Sequence, residues 1–193
     1  MTSKSLLNFS TMANPGLHFS EKSVLRETMR ERLRGLGRGE RHERSIQICE
    51  SLRTFFHGKN SIALFAPGET EPDLDLLWEL GLLEHHLVSY PRCEGKALLF
   101  LTVSKLSDLC PGISGIREPV GTAGPEYLDL IVIPGLAFTA SGYRLGRGAG
   151  FYDRFLSTIP ERTVKIGVCF AFQVLSEIPV ECHDVKVDAL VYA

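Results

Sequence analysis

The 193-residue chain sets 21 Lys+Arg against 23 Asp+Glu for a formal net charge of −2, with 44% hydrophobic and 23% charged residues. That length supports one substantial core and that mixture is globular rather than disordered, so one domain is the default. A near-neutral balance excludes a global basic field, and any nucleic-acid binding would need a local patch. The five cysteines (Cys49, Cys93, Cys110, Cys169 and Cys182) are scattered with no C-x-x-C pair. This argues against a disulfide framework or a zinc knuckle and points to a reducing, cytoplasmic setting. No apolar run approaches the roughly twenty residues of a membrane span.

Met1 to His18 lacks acids, arginines and a long apolar stretch; residues 1–19 are read as a flexible tail and 20–193 as a single domain. From Ser20, a plausible N-cap, Leu25, Met29, Leu33 and Leu36 recur at helical spacing. The opposite face mixes Lys22, Arg26, Arg30, Arg32 and Arg34 with Glu27 and Glu31, the pattern of a solvated surface with i,i+4 pairs. A second helix is expected from about Glu40 to Phe56, with Ile46, Cys49, Leu52 and Phe56 as its apolar stripe. Ser61 to Ala66 reads as a short buried strand ending at Pro67-Gly68, followed by an acidic segment, Glu69 to Asp73, and a helix over 73–80. Those acids either cap the helix or face a ligand, because ligands in open α/β sheets bind beyond the carboxyl ends of strands.

His85 to Tyr90 and Ala97 to Val103 read as two strands on either side of Pro91-Arg92-Cys93. His85 and His86 stand at no metal-ligand spacing. Leu128 to Pro134 is a continuous apolar run, the mark of a strand buried on both faces; Val164 to Phe170 and Asp188 to Tyr192 are further strands. Strands alternating with helices predict a three-layer α/β/α domain with a mostly parallel central sheet.

Ser141 to Phe155 concentrates the chemistry. Gly142, Gly146, Gly148 and Gly150 let backbone N–H groups approach a ligand, while Arg144, Arg147 and Arg154 supply forked cationic donors suited to phosphate or carboxylate. A short helix over 151–156 would follow, its N-terminus turned to the anion. Asp153 is a lone carboxylate among these arginines, in the setting where acids beside phosphates hold Mg²⁺. The bland alternative is a glycine-rich turn with Arg154 at the surface or paired to Asp153. Neither G-x-G-x-x-G nor G-x-x-x-x-G-K-[ST] occurs.

The run R-L-G-R-G-A-G-F-Y-D-R-F-L (144–156), preceded by L-I-V-I-P-G-L-A-F, closely resembles the signature of the 5-formyltetrahydrofolate cyclo-ligase family, also called methenyltetrahydrofolate synthetases. The resemblance spans about Lys22 to the C-terminus and implies a fold similar to that of sugar-phosphate isomerases and CoA transferases. It implies ATP as co-substrate, contacted by Lys22 and Arg26 of a K-x-x-x-R helix, by Arg144, and by Leu145, Gly146, Arg147, Gly148, Ala149, Gly150, Phe151 and Tyr152. It implies 5-formyltetrahydrofolate contacted by Ala66, Glu71, Arg147, Gly148, Gly150, Phe151 and Tyr152, with Arg144, Arg147 and Tyr152 in catalytic roles. Mg²⁺ is implied at Asp153 and at Asp184 of the H-D-x-x-x-D segment (His183, Asp184, Asp188), which on residue type alone is a turn. Three positions depart from the family: Ser114 replaces a frequent aromatic in G-I-S-G-I-R-E-P, Ala149 a frequent Lys or Gly, and Phe151 a frequent Tyr.

Two other functional classes fit the residues less fully. One is a non-catalytic nucleotide- or anion-binding protein on the same scaffold. The other is an RNA-binding module built on Arg26 to Arg44, where four glutamates interleave seven arginines and dilute the field. The expected partners are small molecules, with neither nucleic acid nor membrane, acting on a monomer.

Overall fold

A computed structural model describes residues 15–112 and 115–193. Five parallel strands and one antiparallel edge strand form the main sheet, in the order β11-β9-β6-β1-β2-β3. They are β1 (Ser61–Ala63), β2 (Leu87–Glu94), β3 (Ala97–Val103), β6 (Leu130–Pro134), β9 (Val164–Cys169) and β11 (Ala189–Tyr192). Alternate residues enter two different cores: Ile62, Leu130 and Val132 pack on one face, Ala63, Ile131 and Ile133 on the other. Leu130, Ile131, Val132 and Ile133 are all fully buried, as a continuous apolar strand must be when helices cover both faces. Removing each such side chain from water is worth about 1.5–3 kcal/mol.

The first core holds Met29 and Leu33 of α1 (Pro15–Gly35), Ile48, Cys49, Leu52 and Phe56 of α2 (Arg38–Phe56), and Leu76 and Leu77 of α3 (Leu76–Glu79). The second holds Leu156 of α4 (Phe151–Leu156) together with Phe138, Leu98 and Phe100. This is the expected three-layer α/β architecture with a mostly parallel sheet. Beside it, β10 (Val174–Leu175), β7 (Ala137–Thr139) and β8 (Arg144–Leu145) form a small sheet, and β4 (Leu109–Pro111) pairs with β5 (Arg117–Pro119).

Several boundaries differ from expectation for identifiable reasons. Helix α1 starts at Pro15, so Ser20 lies within it rather than at its cap, and residues 15–19 of the expected tail are helical; proline is favoured at a first helical position. Residues 1–14 and Ser114 lie outside the described residues. The expected helix over 73–80 shrinks to a single turn because Asp73 Oδ1 accepts the Asp75 N–H at 3.1 Å, a local turn that competes with helix. β2 runs on through Pro91 and Arg92. Only residues 87–89 pair with β1, so Pro91 sits where β2 keeps a single paired neighbour, β3, and needs no second ladder bond. β6 begins at Leu130 because Asp129 turns its carboxylate to the Asn60 and Ser61 N–H groups, at 2.8 and 3.1 Å.

Candidate active site

The loops that follow β1 and β6 leave the sheet at the same edge, since both strands are parallel. After β6 the chain makes the β7–β8 hairpin, which pairs Phe138 with Arg144 and delivers Arg144 to the start of the glycine loop. Gln173, buried in the turn after β9, donates through Nε2 to the Gly135 and Leu136 carbonyls at 2.9 and 3.1 Å and fixes the hairpin's base. Gly148 and Gly150 take φ of +110° and +68°, the left-handed region that lets the loop turn sharply into α4.

Arg144 is not an exposed loop arginine. Its side chain is 4% exposed, its Nη2 donates to Asp153 Oδ1 at 2.6 Å, and its guanidinium lies 5.6 Å from the centroid of the Tyr152 ring. Its Nε is buried and finds no hydrogen-bond partner among the described residues. Arg154, which sequence left free to pair with Asp153, instead donates to the Lys96 carbonyl at 3.0 Å and ties α4 to the β2–β3 turn. Phe151 lies under the Arg154 guanidinium, 5.2 Å from it.

Arg147 is the outward arginine, with its side chain 47% exposed. Its Nε and Nη2 donate to one oxygen of Glu71, at 3.1 and 2.7 Å, while the other Glu71 oxygen accepts the Gly68 N–H at 2.9 Å. Two predicted residues 76 positions apart therefore form one unit that joins the post-β1 loop to the glycine loop. Ala66 is buried just ahead of that unit, Leu145 is buried behind the glycines, and Ala149 is exposed. Tyr152 is half-buried, but its hydroxyl oxygen is shut off from solvent without a partner among the described residues. Burial, reinforced by the Glu71 carboxylate, raises its pKa well above the usual phenol value.

Helix α1 closes the site from the other side. Arg26 Nε donates to the Gly146 carbonyl at 3.1 Å and Arg30 Nη2 to the Arg147 carbonyl at 3.4 Å. Lys22, one turn earlier, is 6% exposed, with Nζ 3.0 Å from Asp184 Oδ2 and 3.3 Å from Glu181 Oε2. Four helical residues rise about 6 Å, which sets how far along α1 the Asp184 contact lies from the loop contact. Lys22, Arg26 and Arg30 form an i, i+4, i+8 stripe. Sequence reasoning stopped that stripe at Arg26 and assigned Arg30 to the solvated face, although the spacing continued.

The two aspartates proposed for a metal each hold their own cation, Arg144 for Asp153 and Lys22 for Asp184, and among the described residues no contact joins them. Asp184 is grouped instead with Glu181 and His183, whose ligand atoms all lie within 4.8 Å of one another. Glu181 was missed; only its place two residues before the His-Asp pair hinted at it. Asp188, the last acid of that segment, accepts the Lys165 N–H at 2.7 Å and sets the start of β11 against β9. A cavity of about 600 Å³ opens beside Glu71, bounded by Gly68, Arg34, Arg38, Arg41 and Arg117.

Fold and site together define an α/β protein whose glycine- and arginine-rich loop lies between a basic helix and an acidic loop at the carboxyl edge of its sheet. The sequence profile of the 5-formyltetrahydrofolate cyclo-ligase family matches residues 18–193, and the chain belongs to that family. It is 30% identical to the Mus musculus 5-formyltetrahydrofolate cyclo-ligase, over 90% of this chain and 94% of the mouse protein. To the Escherichia coli (strain K12) 5-formyltetrahydrofolate cyclo-ligase it is 32% identical, over 84% and 95%. The solved structure of Aquifex aeolicus 5,10-methenyltetrahydrofolate synthetase superposes with a TM-score of 0.79 at 34% identity, covering 89% of each chain.

Proposed function

We propose that this chain catalyses the ATP-dependent cyclisation of 5-formyltetrahydrofolate to 5,10-methenyltetrahydrofolate, releasing ADP and phosphate. The observation that carries the reading is the convergence on residues 144–152 of α1 through Arg26 and Arg30 and of the post-β1 loop through Glu71. A formamide is a poor electrophile and its oxygen a poor leaving group. The formyl oxygen attacks the terminal phosphorus of ATP and ADP departs. N10 of the same folate then attacks the activated carbon, the C–O bond breaks with loss of phosphate, and N10 gives up its proton. Two ligands must be aligned and negative charge neutralised, which calls for arginines and backbone N–H groups rather than a protein nucleophile.

In this reading Lys22, Arg26 and the 144–150 segment face the phosphates, and Arg147 stands between the two ligands. Glu71, bordering the cavity, orients the pterin, and the Tyr152 hydroxyl, without a partner among the described residues, finds one on a ligand. Asp153 and Asp184 would hold Mg²⁺. Their donor type suits that ion, and the Lys22 ammonium already lies against the Asp184 carboxylate. Bound there, Mg²⁺ supplies charge neutralisation of the phosphates.

The test is absorbance of the methenyl chromophore after the chain is mixed with 5-formyltetrahydrofolate and MgATP. A rise proportional to enzyme is expected. A folded chain that binds ATP and gives no rise would favour the non-catalytic binding protein.

A further inference from the structure

The ammonium of Lys22 occupies a site that also suits a metal ion. It lies 3.0 Å from Asp184 Oδ2 and 3.3 Å from Glu181 Oε2, and its side chain is only 7% exposed. The same Asp184 oxygen accepts the Glu181 N–H at 2.7 Å, and His183 Nε2 stands 3.1 Å from Glu181 Oε2 and 4.0 Å from Asp184 Oδ1. All candidate ligand atoms fall within 4.8 Å of one another. A divalent ion on the Asp184 oxygen that Lys22 now contacts would stand a few ångströms from a poorly hydrated ammonium, and two cations so placed repel strongly. Expelling the lysine alone is also unfavourable, because a buried charge would lose a partner.

We propose that Lys22 and the divalent ion are alternative partners of Asp184, and that Glu181 is a positioning residue that keeps hold of the ammonium as it turns from Asp184 to the phosphates. The metal position then opens only as nucleotide phosphates arrive to receive the ammonium. This rests on the reading of Lys22 and Asp184 as ATP and Mg²⁺ residues. Glu181 suits the second task because it already shares the ammonium and, at 36% side-chain exposure against 10% for Asp184, sits nearer solvent.

The consequence is a reversal of sign at one residue. Lys22→Met should weaken ATP binding yet tighten the binding of metal alone by about tenfold or more, the factor that 1.4 kcal/mol supplies. Titration of the nucleotide-free full chain with Mn²⁺, followed by electron paramagnetic resonance, reads the second effect. The gain should vanish in Lys22→Met combined with Asp184→Asn. Glu181→Gln should raise the KM for MgATP with a smaller change in kcat. In the wild-type chain, the ¹H–¹⁵N signal of the Lys22 ammonium should shift on adding Mg²⁺ with a non-hydrolysable ATP analogue and stay put with the same concentration of Mg²⁺ alone. This measurement holds even where Lys22→Met fails to fold. Equal Mn²⁺ affinity in wild type and folded Lys22→Met, or a lysine signal displaced equally by Mg²⁺ alone, overturns the proposal while leaving the cyclo-ligase reading intact. A wild-type chain that binds no ATP in equilibrium dialysis removes both.

Discussion

Arg144 and Arg147 stand three residues apart in the glycine loop, and each donates its Nη2 to a carboxylate, yet the two pairs are built for different work. Arg144 reaches Asp153 nine residues away from its place in the β7–β8 hairpin, with its side chain 4% exposed and against the Tyr152 ring. Arg147 reaches Glu71 across 76 residues with its side chain 47% exposed. The carboxylates do not share this division, since the Asp153 side chain is 21% exposed and that of Glu71 11%; the difference lies in the arginines, one withdrawn from water and packed, the other partly screened by solvent. The same motif therefore contains one arginine that holds the loop's shape and one that is free to exchange its partner for a ligand.

The sharpest way to break this contrast is to truncate both arginines. Arg144→Ala should cost about 3 kcal/mol of stability, because a buried guanidinium that packs on the Tyr152 ring and pairs with Asp153 is removed. Urea denaturation of the variant reads that loss, and a midpoint unchanged from wild type would abolish the distinction. Arg147→Ala should shift stability by less than about 1 kcal/mol. Its kcat/KM should nevertheless fall by the equivalent of about 1.5–3 kcal/mol, the worth of a charge-assisted hydrogen bond to a ligand. Steady-state kinetics beside the same denaturation curves separate the two variants.

Glu71→Gln refines the outward half of the comparison. It keeps the side chain's size, removes its charge and turns one acceptor into a donor, so it should raise KM for the folate more than KM for ATP. The reverse order would mean that the two ligands lie the other way round in the site. The smallest effect concerns thiols, which repeat the same division between interior and surface. Cys110 and Cys182 are exposed and should react with a maleimide in the native protein. Cys49 is fully buried and burial pushes its pKa up to about 12; Cys169 behaves alike. Both should react only on unfolding, as mass spectrometry of timed samples can show.

The elements that could be read from sequence were those whose own residues determine them. Ala97–Val103 and Phe151–Leu156 appear with the expected bounds, the first from a dense apolar run and the second from the turn imposed by Gly150. The strands β7, β8 and β10 have two or three residues each, too few to show a period, and they exist because the hairpin folds onto the turn held by Gln173. In the site, residue identities were legible from the signature but their partners were not. Nothing local to Arg144 says that it faces inward, or that Glu71 and Arg147 meet. Those facts depend on where the β1 and β6 loops leave the sheet.

Lys22 and Arg147 already hold carboxylates of the protein itself. Where an incoming phosphate takes over such a cation, one anion replaces another and the number of ion pairs changes little. Added salt weakens the pair that is broken as well as the pair that is made. Nucleotide affinity should therefore decline with ionic strength more gently than a count of the site's positive charges suggests.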